Sequence, residues 1–305
     1  MEATPPSEGL GAEMRVLFTL DVHLSTSVEA LTTSGSVLSA CGMNATYFVS
    51  AAATNAPAVR RALCSLVRLG HEVASHGIDH EDYATLPFKA QTQALARSRE
   101  LLERFTGSEV TAFRAPAYRV NHATVPALER AGYLADTSVT PQRFPLLSSD
   151  PSNFAWLLAP RRPYHPSRRS PNRRGDSWLI EVPTSCLLIP FTAVLHQAVT
   201  RGVANTYVRA LAAEARRSGI PLVFAGHPED FLSREPSPRK RLRLGDFAPS
   251  DFWPTDGSGM TFRHKLYDVD PGRAYVRNAE LLRQLMSAPG VTFETVSSYR
   301  RHVVA

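Results

Sequence analysis

Ten histidines lie along the chain. Two of them frame the clearest chemical signal, His76-Gly77-Ile78-Asp79-His80. Imidazoles four residues apart can ligate one divalent cation from a helix face or a tight turn. The same spacing also describes two loop histidines facing solvent. A second signal is Asp21-Val22-His23. On an extended strand, residues i and i+2 point the same way, so Asp21 and His23 share a face. A carboxylate beside an imidazole can act as a general base or a metal ligand. The alternative is an Asp that caps the next helix beside an exposed His. A third is Arg114-Ala115-Pro116-Ala117-Tyr118. An arginine on a buried strand needs an anionic partner, because an unpaired buried charge is expensive. Asp21 is one candidate; a structural carboxylate elsewhere is another. Asp136 could be a capping or surface Asp, and His227 a core or turn His.

These residues need a scaffold. Val16–Leu20 (VLFTL), Ala45–Ser50 and Glu72–Gly77 read as buried strands. Asn55 and Pro57 open a helix with Val59, Leu63, Leu66 and Val67 on one stripe, and Gly70 closes it. A helix follows over Lys89–Arg104, then a strand over Thr111–Pro116, a helix over His122–Ala131 and a strand over Tyr133–Ser138. Trp178–Pro183, Pro221–His227 and Thr292–Ser297 read as further strands, and Thr206–Ser218 and Arg273–Met286 as helices. Strands alternating with helices imply a parallel sheet with right-handed crossovers, closed as a barrel or left open and doubly wound. Most candidate residues sit where strands end, which is where parallel α/β folds carry their sites. No glycine fingerprint for a dinucleotide follows the first strand.

Composition bounds the rest. Of 305 residues, 43% are hydrophobic and 20% charged, an ordinary globular balance that excludes a disordered, collagen-like or coiled-coil chain. The net charge of +6 permits an anionic partner without requiring one. Cys41, Cys64 and Cys186 are odd in number and lack metal-ligand spacing, so a disulfide scaffold is not expected. No apolar run reaches the length of a membrane helix. The first thirteen residues carry neither a basic start nor an apolar core, so the expectation is a cytoplasmic protein without a signal peptide. Residues 1–13 read as a flexible tail. Residues 14–305 read as one domain with long inserted loops at about 145–177 and 233–270. Those loops hold RRPYHPSRRSPNRRGD (161–176), RKRLR and DFWPTD.

In order along the chain, these segments resemble the five motifs of the polysaccharide deacetylases, the NodB-homology proteins of carbohydrate esterase family 4. Thr19-Leu20-Asp21-Val22-His23 is similar to the first motif, T-F-D-D-G. His76–His80 is similar to the second, H-[ST]-x-x-H, and Arg114–Tyr118 to the third, R-x-P-x-[YG]. Asp136 stands at the fourth, and Leu222–His227, an apolar strand ending in His, at the fifth. The resemblance covers about residues 15–145 well, and 178–230 and the C-terminal helix and strand less well. It implies a distorted (β/α) barrel of about seven to eight parallel strands and a divalent metal, most often zinc, with cobalt, manganese or nickel as alternatives. It implies that His76 and His80 are ligands, that Asp21 is the general base, and that Arg114 orients it and keeps it ionised. The backbone N–H of Tyr118 would help stabilise the oxyanion, and His227 would be the general acid, oriented by Asp136.

Two departures stand out. The metal carboxylate of the first motif is replaced: Val22 cannot bind, and His23 is read as the third ligand. Rival readings make Asp21 the ligand with no base present, or make the site degenerate. Gly77 stands where a hydroxyl residue is usual.

The resulting expectation is a metal-dependent amidohydrolase that removes acetyl or formyl from the nitrogen of an amino sugar or sugar-containing metabolite. Hydrolysis of a non-sugar C–N amide bond, or a catalytically degenerate carbohydrate-binding homologue, are the alternatives. The expected partner is a small molecule or glycan carrying an N-acyl group, with the Arg-rich loops free to meet an anionic group on it. No nucleic acid is expected, since no binding motif for one appears.

Overall fold

A computed structural model of the chain describes residues 13–143, 154–233, 248–252, 254–255, 259–260, 265 and 270–304. The expected tail, except residue 13, lies outside the described residues, as do RKRLR and Trp253.

The sheet is parallel and mixes long and very short strands. They are β1 (Met14–Val22), β2 (Ala45–Val49), β3 (Glu72–Ser75), β4 (Ala112–Phe113) and β5 (Ala135–Asp136). After a small antiparallel hairpin, β6 (Pro166–Ser167) and β7 (Ser170–Arg174), comes β8 (Ile180–Glu181). A second hairpin, β9 (Cys186–Leu187) and β10 (Ile189–Pro190), precedes β11 (Leu222–Gly226). A third pairs β12 (Pro254–Thr255) with β13 (Gly259–Met260), and β14 (Val291–Phe293) adds to β1. The sheet order is β11-β1-β2-β3-β4-β5-β8. This curled sheet with its surrounding helices is a distorted (β/α) barrel. Between its outer strands, Ser185 N–H donates to the Val223 carbonyl at 3.1 Å, and Ser185 Oγ accepts from Val223 N–H at 2.9 Å.

Helices α1 (Val28–Ala40), α2 (Pro57–Arg68), α3 (Phe88–Thr106) and α4 (Thr124–Arg130) connect the first five strands. Ser27 caps α1 by accepting from Ala30 N–H at 3.1 Å, and Pro57 opens α2. Further on come α5 (Ala193–Ala198), α6 (Arg201–Ser218), α7 (Pro271–Met286) and α8 (Val296–Val304).

Strand alternation divides the residues into two faces. On β1, Val16, Phe18, Leu20 and Val22 pack outward into the large core beneath the helices. Leu17 points into the barrel with Phe48, Ala74, Ala112, Ala135, Ile180, Val182 and Val223. Val296 and Tyr299 of α8 join that inner cluster and close the barrel floor. The first turn of α8 is held there: Val296 N–H donates to Thr46 Oγ1 at 2.9 Å, and Ser297 N–H to Glu72 Oε2 at 3.2 Å.

The sequence reading differs at several places. It has no helix at α1 and runs the last strand through Ser297, where the chain instead turns into α8. It makes 161–176 a plain loop, where β6 and β7 form a hairpin. In that stretch Arg161 pairs with Glu214 at 2.5 Å, and Arg168 pairs with Glu129 at 2.7 Å and Asp176 at 2.8 Å. These arginines are held by the protein's own carboxylates.

Candidate active site and metal centre

The inner face carries the chemistry upward from the apolar floor. On β1 the series Leu17, Thr19, Asp21, His23 keeps one parity, and so do Ala74 and His76, Ala112 and Arg114, and Val223, Ala225 and His227. Asp21, Arg114, His23, His76 and His227 thus converge above the inner apolar layer, and the loop after β3 brings His80 to them.

The three imidazoles expected to bind a metal are together. His23, His76 and His80 each offer a ring nitrogen within 4.8 Å of the others. The His23 ring centroid is 5.5 Å from that of His76, 4.9 Å from His80 and 5.2 Å from His227. His76 is buried, His23 half-buried and His80 exposed, so the cluster opens outward. His76 Nδ1 lies 2.8 Å from the Arg114 carbonyl oxygen, while its buried Nε2 has no hydrogen-bond partner among the described residues. A carbonyl only accepts, so Nδ1 carries the proton and the Nε2 lone pair is free. An imidazole fixed in this way is a prepared metal ligand. Burial pushes His76 down to about 3. Burial and the neighbouring His227 push His23 down to about 4. Both rings are therefore neutral at neutral pH, the form that ligates. Three imidazole nitrogens, one of them the orphaned lone pair of His76, fit a borderline-soft divalent cation such as zinc.

Beside them lies the ion pair. Arg114 Nη1 donates to Asp21 Oδ1 at 2.8 Å, and Arg114 is fully buried. Its other nitrogens are also satisfied: Nη2 donates to Thr19 Oγ1 and Nε to Thr137 Oγ1, each at 2.8 Å. The Thr19 hydroxyl in turn donates a hydrogen bond to the Phe224 carbonyl at 2.5 Å. The guanidinium stacks on Phe48 with its carbon 4.4 Å from the ring centroid. Burial alone would raise the Asp21 carboxyl, but the Arg114 guanidinium prevails and holds it at about 2. Asp21 is a carboxylate throughout the neutral range.

Two expected roles do not match the geometry. Asp136 was to orient His227, but it lies on the other face. Ala135 and Thr137 point inward, so Asp136 between them points outward, in register with Glu181. Its carboxylate accepts from Ser138 Oγ–H and from Ser138 N–H at 3.1 Å. Among the described residues no hydrogen bond joins it to His227. Burial pushes Asp136 up to about 6 and Glu181 well above its ordinary value, with Asp136 adding to the latter. The second is the Tyr118 N–H, which already donates to the Ala115 carbonyl at 3.0 Å. That bond closes a tight turn in which Ala117 and Tyr118 take φ of 51° and 59°. The Tyr118 ring instead covers Arg114, with the guanidinium carbon 5.5 Å from its centroid.

The sequence reading missed Thr19, Thr137 and Asp230. Thr19 and Thr137 could have been found by parity, since they share the inner face with Asp21 and Arg114. Asp230 stands three residues after His227, a capping position. Its Oδ2 accepts from His227 N–H at 2.8 Å, and its Oδ1 accepts from Gln197 Nε2 at 3.1 Å. Asp230, and not Asp136, fixes the His227 backbone.

A parallel barrel with a three-imidazole cluster and an Arg-held carboxylate at its strand ends carries the side chains that metal-assisted hydrolysis would use. Over its first five strands the chain is similar to the polysaccharide deacetylases. The family profile described as polysaccharide deacetylase matches residues 12–135, which carry β1 to β5. A peptidoglycan deacetylase-like protein of Gibberella zeae is 42% identical over 76 residues, 25% of this chain and 22% of that protein. The peptidoglycan deacetylase of Helicobacter pylori is 32% identical over 74 residues, 24% of this chain and 25% of the relative. Each match thus spans about a quarter of the relative's length. The fold is similar to that of a Mycobacterium smegmatis protein assigned to the polysaccharide deacetylases. That match has a TM-score of 0.61 and 21% identity, and covers 100% of this chain and 94% of the other. It is also similar to a family 4 carbohydrate esterase from Streptomyces lividans solved with acetate. There the TM-score is 0.51 and the identity 12%, over 94% of this chain and 95% of the other. Among the described residues, no helix is long and apolar enough to cross a membrane.

Proposed function

We propose that the protein is a metal-dependent hydrolase that removes a small acyl group, acetyl or formyl, from the nitrogen of an amino sugar or a sugar-containing metabolite. One observation carries this reading: three imidazoles face one another beside an ionised, arginine-held carboxylate in the same cleft. His23, His76 and His80 would hold the cation, zinc by the nature of the donors.

Asp21 is the general base. It stays ionised because Arg114 faces it, and it keeps its direction because Arg114 is itself fixed by Thr19 and Thr137. A carboxylate held near 2 is a weak acceptor. The proton it takes must come from water whose own pKa is lowered, which is the chemistry a divalent cation supplies when bound. His227 stands across the cluster from Arg114's side, its ring beside that of His23. It serves as the general acid that protonates the leaving amine. Asp230 fixes its backbone so that the ring meets the same cleft.

A substrate panel tests the assignment: N-acetyl and N-formyl amino sugars against O-acetylated sugars, with metal content measured alongside. The expected result is zinc-dependent release of acetate or formate from the amides. Turnover that survives complete metal removal, or cleavage of esters alone, would refute it.

A further inference from the structure

The loop that delivers His80 has an unusual backbone. Gly77 and His80 take φ of 80° and 73°. For a histidine this left-handed region is strained, so the surroundings must fix it. The loop's carbonyls face the body of the protein. Gly77 C=O accepts from Ser98 Oγ–H and Ala51 N–H, both at 2.9 Å, and Ile78 C=O accepts from Ala52 N–H at 2.8 Å. Two of the loop's amides turn instead to one atom, while the Gly77 amide donates to Ser75 Oγ at 3.3 Å. Glu81 Oε2 accepts from Ile78 N–H at 2.9 Å and from Asp79 N–H at 3.2 Å. These are the amides of two of the three residues between the ligand positions.

Gly77 makes room for that atom. A Cβ at this position would lie 2.7 Å from Glu81 Oε2 and 3.0 Å from the Tyr83 hydroxyl oxygen. Any side chain at 77 therefore conflicts with the carboxylate that gathers the loop, quite apart from the strain of the positive φ.

We infer that Glu81 is a positioning residue of the metal loop, and that Gly77 is its steric companion: the carboxylate gathers the amides between His76 and His80 so that both imidazoles meet one cation. Glu81 is not one of the residues whose ligand atoms gather around the cation position, which are His23, His76 and His80. The inference rests on the three-imidazole reading proposed above and adds the residue that shapes it.

The test uses the full chain, with zinc alone as the probe and two readouts: zinc affinity by chelator competition, and amide hydrogen exchange at Ile78 and Asp79. Glu81→Ala is expected to weaken zinc about 10–100-fold, as loss of an outer-shell partner does, and to speed exchange at both amides. Glu81→Gln keeps an acceptor oxygen and is expected to stay within about threefold of wild type. Gly77→Ala is expected to weaken zinc as well, but by less when combined with Glu81→Ala, because the clashing atom is then gone. Unchanged exchange in Glu81→Ala, unchanged zinc affinity, or a Gln variant as weak as the Ala variant would overturn the assignment. If wild type binds no zinc at all, the metal reading falls with it. If wild type binds zinc and Glu81→Ala binds it equally well, only the role of Glu81 falls.

Discussion

His76 Nδ1 meets the carbonyl oxygen of Arg114 at 2.8 Å, which ties a metal-ligand candidate to the residue that holds the Asp21 carboxylate. One residue thus serves both halves of the site. Its main chain fixes the His76 tautomer, and its side chain fixes Asp21. The buried Nε2 of His76 is left without a hydrogen-bond partner among the described residues, a cost that ligation removes. The two halves should therefore separate on mutation. His76→Ala and His23→Ala are expected to lose stoichiometric zinc. Asp21→Asn is expected to keep zinc and to lose turnover by about 10²–10⁴-fold, the usual contribution of a general base. Metal analysis and steady-state rates on the same preparations check this. An Asp21→Asn protein without zinc, beside a His23→Ala protein that retains it, would make Asp21 the ligand.

Removing the guanidinium should expose how strongly Asp21 depends on it. In wild type the folded pKa of Asp21, about 2, lies below its ordinary 3.8. Its contribution to stability is present above about pH 4 and is lost as pH falls toward 2. In Arg114→Met the largest lowering influence is gone and burial, which raises the carboxyl, is opposed only by the neighbouring His76, His227 and His23, so the carboxyl is expected to rise and the variant to weaken as pH rises. The expected loss is about 3–5 kcal/mol at neutral pH, the cost of a buried charge stripped of its partner, shrinking toward pH 3. Urea unfolding at several pH values measures it. A loss independent of pH would show that packing against Phe48, not charge, dominates.

The imidazole cluster and the ion pair were legible because strand parity is a two-residue rule. Once Asp21 is placed on an inner face, His23 follows, and the same logic serves Arg114. That rule also shows why Asp136 misled. The motif order supplied the residue but not the face, and Asp136 has the opposite parity from Ala135 and Thr137. Helix α1 escaped notice because Thr32, Thr33, Ser34, Gly35 and Ser36 interrupt its apolar stripe with small and polar residues. Even so, Ser34 is buried and accepts a hydrogen bond from the Tyr47 hydroxyl at 3.1 Å. The left-handed turn at Ala117 and Tyr118 carries no glycine to announce it. The hairpin of β6 and β7 is written in Pro, Ser and Arg, a composition that reads as loop.

The barrel floor offers a test of stability apart from chemistry. Tyr299 is buried in the inner cluster with Leu17, Phe48 and Val223, at the opposite end from the imidazoles. Tyr299→Ala should cost about 3–5 kcal/mol, the range for deleting a buried aromatic side chain. Zinc affinity and turnover of the folded fraction should remain those of wild type. Thermal unfolding and zinc titration separate the two effects. A large fall in zinc affinity would mean that α8 sets the geometry of the cleft from below.

Asp136 and Glu181 should leave a pH signature of the opposite sign to that of Asp21. Both carboxyls are buried and face each other across β5 and β8. Asp136 sits at about 6 in the folded protein against an ordinary 3.8, and Glu181 is raised further by burial and by Asp136. Between those values the folded state binds more protons than the unfolded chain. This pair therefore favours folding at low pH, and its contribution falls as pH rises from about 4 through 6 and beyond. Glu181→Gln removes one of the two acids while keeping the oxygen that accepts from Val139 N–H. Its amide can also donate to Asp136, which the ionised glutamate cannot. The variant is expected to be more stable than wild type by about 1–3 kcal/mol at pH 8, a gain of the size expected for a charge-assisted hydrogen bond. At pH 4 it should be nearly equal to wild type. Denaturant midpoints across that range measure the difference. A gain that is the same at both ends would mean that the pair does not titrate with folding.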